Sequence, residues 1–309
     1  MASGTHTTQT DPRNASVLVY LNGVLVPRDE ARVSVLDAGF LLGDGVWESF
    51  RIHRGQPVFL DDHLDRLAEG LAALDLDPGL DRAELAEAIE RTLTANDMTD
   101  GVHVRLMITR GLKATPFQGR SADAGSATVV ILAEHKAPAP ELRTRCLRLA
   151  TVHVRRGRPD VQDPGWNSHS KLNCVSAAIQ AEKLGVDEAL MLDPHGFVAT
   201  CNSTHFFLVR RGELWTSTPR YILEGITRGK VLQLAQQHGL VAHQADFTLR
   251  KVYSADEAFC TGTFGGLMPV GEVDGRTIGT GHPGPLTERL QGLYDAAIES
   301  DVARRLAAR

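Results

Sequence analysis

The 309-residue chain is poor in features that mark several whole classes of protein. Its four cysteines, Cys146, Cys174, Cys201 and Cys260, are far apart and include no Cys-x-x-Cys pair. That spacing gives neither a disulfide framework nor a thiolate metal site, and the apolar segments around them read as reduced core thiols of a cytoplasmic protein. No apolar run reaches the length of a membrane span and no secretory signal is visible, so no membrane partner is expected. Basic blocks are missing too: 33 Lys and Arg against 38 Asp and Glu give a formal net charge of −5, and nothing supports nucleic-acid binding. Lysine itself is scarce. Only Lys113, Lys136, Lys171, Lys183, Lys230 and Lys251 occur, against 27 arginines, so a lysine in an apolar setting invites a chemical reading.

What is present is an ordinary globular composition, 42% apolar and 23% charged, long enough for one large or two medium domains. Residues 1–16 are polar and read as a disordered tail. Two apolar runs around Asn22-Gly23 read as a β-hairpin, and 46–52 with 57–60 as a second one around His53-Arg54-Gly55. Leu64, Leu67, Leu71 and Leu74 recur at helical spacing, and 81–96 repeats the pattern with Asp81 as N-cap. The stretch 102–109 alternates as a strand, with Val102, Val104 and Met107 opposed to His103, Arg105 and Thr109. Such a polar face is ordinarily wet; lining a pocket, it would make His103 and Arg105 substrate ligands. A Pro-rich connector at 136–144 then separates a domain at 17–135 from one at 145–309.

The second half holds the chemistry. Lys171 follows a Pro/Gly loop at 159–166 and precedes the helical apolar run Val175, Ala178, Ile179 and Ala181. Unlike an arginine, a partly buried lysine can lose its proton and attack a carbonyl to form a Schiff base. Strand patterns follow at 188–193, 197–200 and 206–209. Gly225, Ile226 and Thr227 then open a helix whose free N–H groups and hydroxyl suit an anion, although the same residues would serve as simple capping. A strand at 257–262 runs into Thr263, Gly265 and Gly266, a hairpin covers 268–278, and a helix closes the chain. Hairpins first and β-α alternation later give an α+β class: a small α/β domain and a larger, barrel-like mixed sheet.

Taken together, Gly43-Asp-Gly-Val-Trp-Glu48, His63-Leu-Asp-Arg66, Gly225-Ile-Thr-Arg228 and Met268-Pro-Val with Asp274-Gly275 resemble the class IV aminotransferases, pyridoxal-phosphate enzymes of fold type IV. The resemblance implies a pyridoxal 5'-phosphate cofactor bound to Lys171, which would also carry the proton between substrate and cofactor. Arg66, Gly225, Ile226, Thr227 and Thr263 would hold the phosphate, and Phe40, Trp47, His103, Arg105, Gly265 and Gly266 would shape the substrate pocket. It further implies a homodimer that moves an amino group from an amino acid, branched-chain-like or D-, or a primary amine to a 2-oxo acid. A lyase of the aminodeoxychorismate type and a non-catalytic phosphate binder are the alternatives. Two departures stand out. Thr200 occupies the place of the family glutamate that pairs with the pyridine nitrogen, and His205 the place of an asparagine. A gapless alignment brings Asn167 to the family lysine position, whereas a helix about one turn shorter keeps Lys171 there and its face in phase.

Overall fold

The computed structural model of the chain describes residues 4, 5 and 10–308. They form two compact units: the first comprises 10–137, 166–170 and 301–308, the second 138–165 and 171–300 with residues 4 and 5. Residues 166–170 and 301–308, which the sequence bounds put with the second half, pack with the first unit.

In the first unit six antiparallel strands lie in the order β2-β1-β6-β5-β3-β4. They are β1 (Leu18–Leu21), β2 (Val24–Pro27), β3 (Gly45–His53), β4 (Gln56–Pro57), β5 (Val102–Thr109) and β6 (Thr128–His135). Helices α1 (Ala38–Leu42), α2 (Leu60–Ala73) and α3 (Arg82–Ala95) complete it. Asn22 and Gly23, both at positive φ, make the tight turn joining β1 to β2. Asp81 accepts from the Glu84 N–H while Glu84 reaches back to the Asp81 N–H, a capping box that fixes the start of α3. Along β5, Val102, Val104, Leu106 and Ile108 face a core shared with Phe50, Leu64, Leu67 and Ile89. Met107 lies on the opposite face with Arg105 and Thr109, because the two-residue period of the strand runs unbroken. Burial of each such aliphatic side chain contributes roughly 1.5–3 kcal/mol.

Two expectations are corrected here. The strand expected at 57–60 stops at Pro57, because Phe59 turns to a left-handed φ of 53° and α2 begins at Leu60. Of the tail expected at 1–16, residues 1–3 and 6–9 lie outside the described residues, but Pro12–Ser16 is a 3-10 helix capped by Asp11. Asn14 ties that helix to β6, donating to the His135 carbonyl and accepting from its N–H.

The second unit is a nine-stranded mixed sheet in the order β12-β11-β10-β13-β14-β7-β8-β9, with β15 on β14. Its strands are β7 (Leu147–Thr151), β8 (Glu188–Leu192), β9 (Val198–Cys201), β10 (His205–Arg210), β11 (Glu213–Thr216), β12 (Ala242–Gln244), β13 (Glu257–Gly262), β14 (Gly266–Val273) and β15 (Arg276–Thr277). Helices α4 (Leu172–Leu184), α5 (Ile226–Gln237) and α6 (Leu249–Tyr253) belong to it, as does α7 (Pro285–Ala307) up to residue 300. The end strand β9 turns straight into β10, two places in from the opposite end, so the sheet curls upon itself. The alternation of β10 and β13 is complete: Phe206, Leu208, Ala258 and Cys260 enter the core, and Phe207 stacks on Phe259 on the other face.

Helix α4 departs from its reading. Ala177 and Ala181 are its buried residues, packed near Ala150 and Ala189, while Val175 and Ile179 are exposed. Alanine allows the closest approach of a helix to a sheet, so the small side chains face inward and the larger ones outward. The thiols also divide: Cys201 and Cys260 are buried with their sulfurs 3.7 Å apart, whereas Cys146 and Cys174 are only partly covered.

Candidate active site

The sequence-assigned residues fall into the two units. In the first, Trp47, His103 and Arg105 lie on the sheet face away from the core, on the adjacent strands β3 and β5. The Arg105 guanidinium stacks 4.0 Å from the Trp47 ring centroid. Burial pushes its pKa down, the more distant charge of Glu134 pushes it up, and no carboxylate lies within ion-pair distance of it among the described residues. Phe40, on α1 rather than on the sheet, is 74% exposed.

On the opposite face of β3 lies a buried polar cluster that sequence reasoning largely missed. Glu48 is completely buried, and Arg66 grips it with a fork, Nε to Oε1 and Nη2 to Oε2, both at 2.7 Å. His63 Nδ1 donates to Oε2 at 2.6 Å, and the Asn167 amide lies 3.5 Å from Oε1. Burial alone would raise the Glu48 carboxyl, but the Arg66 charge and the His63 and Arg66 hydrogen bonds outweigh it and hold it at about 2. Residues 167–169 run as a short strand along the edge of β3: Trp47 N–H donates to the Asn167 carbonyl and His169 N–H to that of Gly45. The Asn167 amide also donates to the Trp47 carbonyl at 2.6 Å, while its own Oδ1, like His63 Nε2, is buried without a partner among the described residues. A signal was available, since Glu48 alternates with Val46 and Phe50 on a core-facing register and α2 supplies His63 and Arg66 three residues apart.

In the second unit, Lys171 is the half-buried N-cap of α4, with non-helical ψ of 12°. Gly225 is the N-cap of α5 and offers no side chain to its first N–H groups. Thr227 is buried, its hydroxyl 3.3 Å from that of Tyr294. Arg228 is an anchor rather than a ligand: its Nη2 donates to the Ser217 carbonyl and Gln244, and burial lowers its pKa to about 10 despite Glu224. Thr263 and Gly265 form the turn between β13 and β14. A Cβ on Gly265 would come within 2.4 Å of the Met268 sulfur, and Gly266 has a φ of +69°, so both positions call for glycine.

Thr200 and His205 adjoin this helix start. The Thr200 hydroxyl donates to the Thr204 carbonyl at 2.8 Å and lies 3.3 Å from His205 Nδ1. The imidazole sits against Gly225, where a Cβ would meet Nε2 at 2.3 Å. Thr261, opposite His205 in the β10–β13 register, is fully buried and its hydroxyl has no partner among the described residues. Glu188 is buried nearby and accepts from Ser203, Thr204 and Thr5; burial pushes its carboxyl up against those bonds.

Against known proteins, residues 45–273 match a family model described as amino-transferase class IV. The chain belongs to that family. This class IV chain is 38% identical over 283 residues to branched-chain-amino-acid aminotransferase-like protein 2 of Arabidopsis thaliana, covering 92% of the chain and 50% of that protein. It spans about half the length of the first curated relatives it matches. A putative branched-chain-amino-acid aminotransferase of Methanocaldococcus jannaschii is 39% identical over 276 residues, covering 88% of the chain and 93% of the relative. D-alanine aminotransferase of Bacillus licheniformis is 31% identical, with 93% and 99% covered. Among solved structures, the T.th. branched-chain amino acid aminotransferase with pyridoxamine 5'-phosphate superposes with a TM-score of 0.85 at 29% identity, covering 92% of this chain and 95% of that one. The Thermoproteus uzoniensis branched-chain aminotransferase with norvaline gives 0.82 at 31%, with 91% and 94% covered. The fold of these relatives is the two-part α+β fold type IV that the motifs implied. Among the described residues no helix is long and apolar enough to cross a membrane, and no cluster of His, Cys, Asp or Glu is arranged to hold a metal.

Proposed function

We propose that this chain is a pyridoxal-phosphate-dependent aminotransferase that transfers an amino group between an amino acid and a 2-oxo acid, with Lys171 as its attachment and proton-carrying residue. When bound, the cofactor supplies an aldehyde carbon for an amine and a ring that delocalises electrons. The residues of the second unit fit its phosphate. The α5 start has no side-chain cap, Gly225 keeps the backbone open, and Thr227 and Thr263 supply hydroxyls. In the first unit Arg66, fixed by Glu48, is a rigid cation of the kind a phosphate takes.

The observation that carries the reading is the position of Lys171 among the few lysines. Lys113 is closed in a 2.5 Å ion pair with Asp123, Lys251 lies on the Trp215 ring, Lys183 is in the last turn of α4, Lys230 lies inside α5 rather than at a helix start, and Lys136 belongs to the first unit. Lys171 is half-buried at a helix start in the unit that holds the anion-binding turn. An amino acid is favoured over a simple amine because Arg105, stacked on Trp47 and without a carboxylate, is suited to take one. The names of the relatives favour branched-chain or D-amino acids as donors. A homodimer is part of the reading: Leu172, Val175 and Ile179 leave an apolar stripe exposed on α4, as Val35, Phe40 and Phe117 do in the first unit.

Asn167 favours a second reading. Its side chain lies buried against Glu48, the partner of Arg66, and an amide at that place cannot join a carbonyl covalently. On this reading the chain holds its phosphate ligand without a bond to lysine. Borohydride reduction of the protein saturated with pyridoxal phosphate, followed by peptide mapping, separates the two. The first predicts label on Lys171 that disappears in Lys171→Ala together with transfer activity; binding without label on any lysine establishes the second.

A further inference from the structure

Buried donors and acceptors around Thr200 leave the second unit without the acid that the resemblance led one to expect there. The Thr200 hydroxyl has one proton, and it goes to the Thr204 carbonyl at 2.8 Å. Its remaining capacity is to accept, and His205 Nδ1 is 3.3 Å away, so that nitrogen is the donor and the imidazole is held as the Nδ1–H tautomer or as the cation. The far nitrogen, Nε2, is pressed against Gly225 at the start of α5. Glu188, the carboxylate nearest in this network, is engaged by the Ser203 and Thr204 hydroxyls on the β9–β10 turn. Glu224, beside Gly225, is exposed. Thr261, directly across from His205, adds a buried hydroxyl that has no partner among the described residues and keeps its proton to donate to a ligand. Hydroxyls and an imidazole thus line this end of the strands, and among the described residues no carboxylate stands where Thr200 does. A protonated pyridine nitrogen needs such a counter-charge; a neutral one needs only a hydrogen-bond donor.

We propose that the Thr200–His205–Thr261 group selects a pyridine ring whose nitrogen is unprotonated. The inference rests on the pyridoxal-phosphate reading above. It makes the Thr261 hydroxyl the donor to that nitrogen, with His205 and Thr200 as positioning residues whose own protons are engaged with each other and with the Thr204 carbonyl. With the nitrogen neutral, the ring withdraws electrons less strongly, which disfavours routes that build full carbanion character and favours proton transfer in which bond breaking and making are coupled.

The test uses the full chain loaded with pyridoxal phosphate carrying 15N in the ring. At neutral pH its nitrogen is expected to resonate where an unprotonated pyridine does, and Thr200→Glu should shift it to the pyridinium position. In the protein alone, 15N spectra of the imidazoles should show His205 protonated at Nδ1, a signature lost in Thr200→Val. A pyridinium signal in the unaltered chain overturns the proposal while leaving the aminotransferase reading intact. Failure to bind pyridoxal phosphate at all overturns both. Should Thr200→Glu not fold, the signal of the unaltered chain together with the His205 tautomer decides.

Discussion

Arg105 shows how much one side chain can say about a substrate. A guanidinium placed over an indole is partly dehydrated, and among the described residues no carboxylate lies within ion-pair distance of it. If it clamps the carboxylate of an amino acid, removing it costs a charge-assisted contact of about 1.5–3 kcal/mol. Arg105→Ala should therefore raise KM for amino-acid donors roughly 10- to 100-fold, by the tenfold-per-1.4-kcal/mol relation, and leave KM for a carboxylate-free amine within about twofold. Equal effects on both donors in steady-state kinetics would remove Arg105 from the site. Glu48 teaches the complementary lesson: a fully buried carboxylate is tolerable only because Arg66 and His63 meet both of its oxygens. Its presence was legible from the alternation of β3, yet its pairing with Arg66 was not, because the two stand 18 positions apart in the chain.

At the scale of elements, the start of α5 depends on a residue from a strand. His205, on β10, occupies the space that any side chain at Gly225 would need. Gly225→Ala should force the imidazole away from Thr200, destabilising the protein by roughly 1–3 kcal/mol, the usual range for overpacking. Urea titration checks this, and an unchanged midpoint would mean that the ring moves aside freely. Elements marked by strong local signals were readable from sequence: the Asn22-Gly23 turn, the Asp81 capping box and the strict alternation of β5 each act over a few residues. Of the apolar run read on α4, Val175, Ala178, Ile179 and Ala181, only Ala181 belongs to the buried face, because close packing on the sheet selects the small residues. Nothing local reports that choice. It is made by the strands that the helix meets.

For the whole molecule, the apolar stripe on α4 is the feature that the packing of a single chain does not use. Leu172 is 80% exposed, and Val175 and Ile179 lie three and seven residues further along the same helix face. If a second copy covers them, Ile179→Asp should convert the dimer to a folded monomer, seen by sedimentation as a halved mass with unchanged circular dichroism. A monomeric parent chain would refute the homodimer instead. The class and the glycine-opened start of α5 could be read from motifs because they rest on short contiguous runs. The Asn167 contacts could not, since they join residues some 120 positions apart.

The short strand 167–169 also bears on how the gene can be divided. It is covalently continuous on both sides with the second unit, but it forms the ladder along β3 and brings an amide to Glu48. A fragment ending at the Pro-rich connector would therefore lack one border of its own sheet. Left open, that border offers bare backbone groups to any other extended chain. Expressed alone, the amino-terminal portion is thus expected to stick to itself, and supplying residues 166–170 as a separate peptide should restore its solubility.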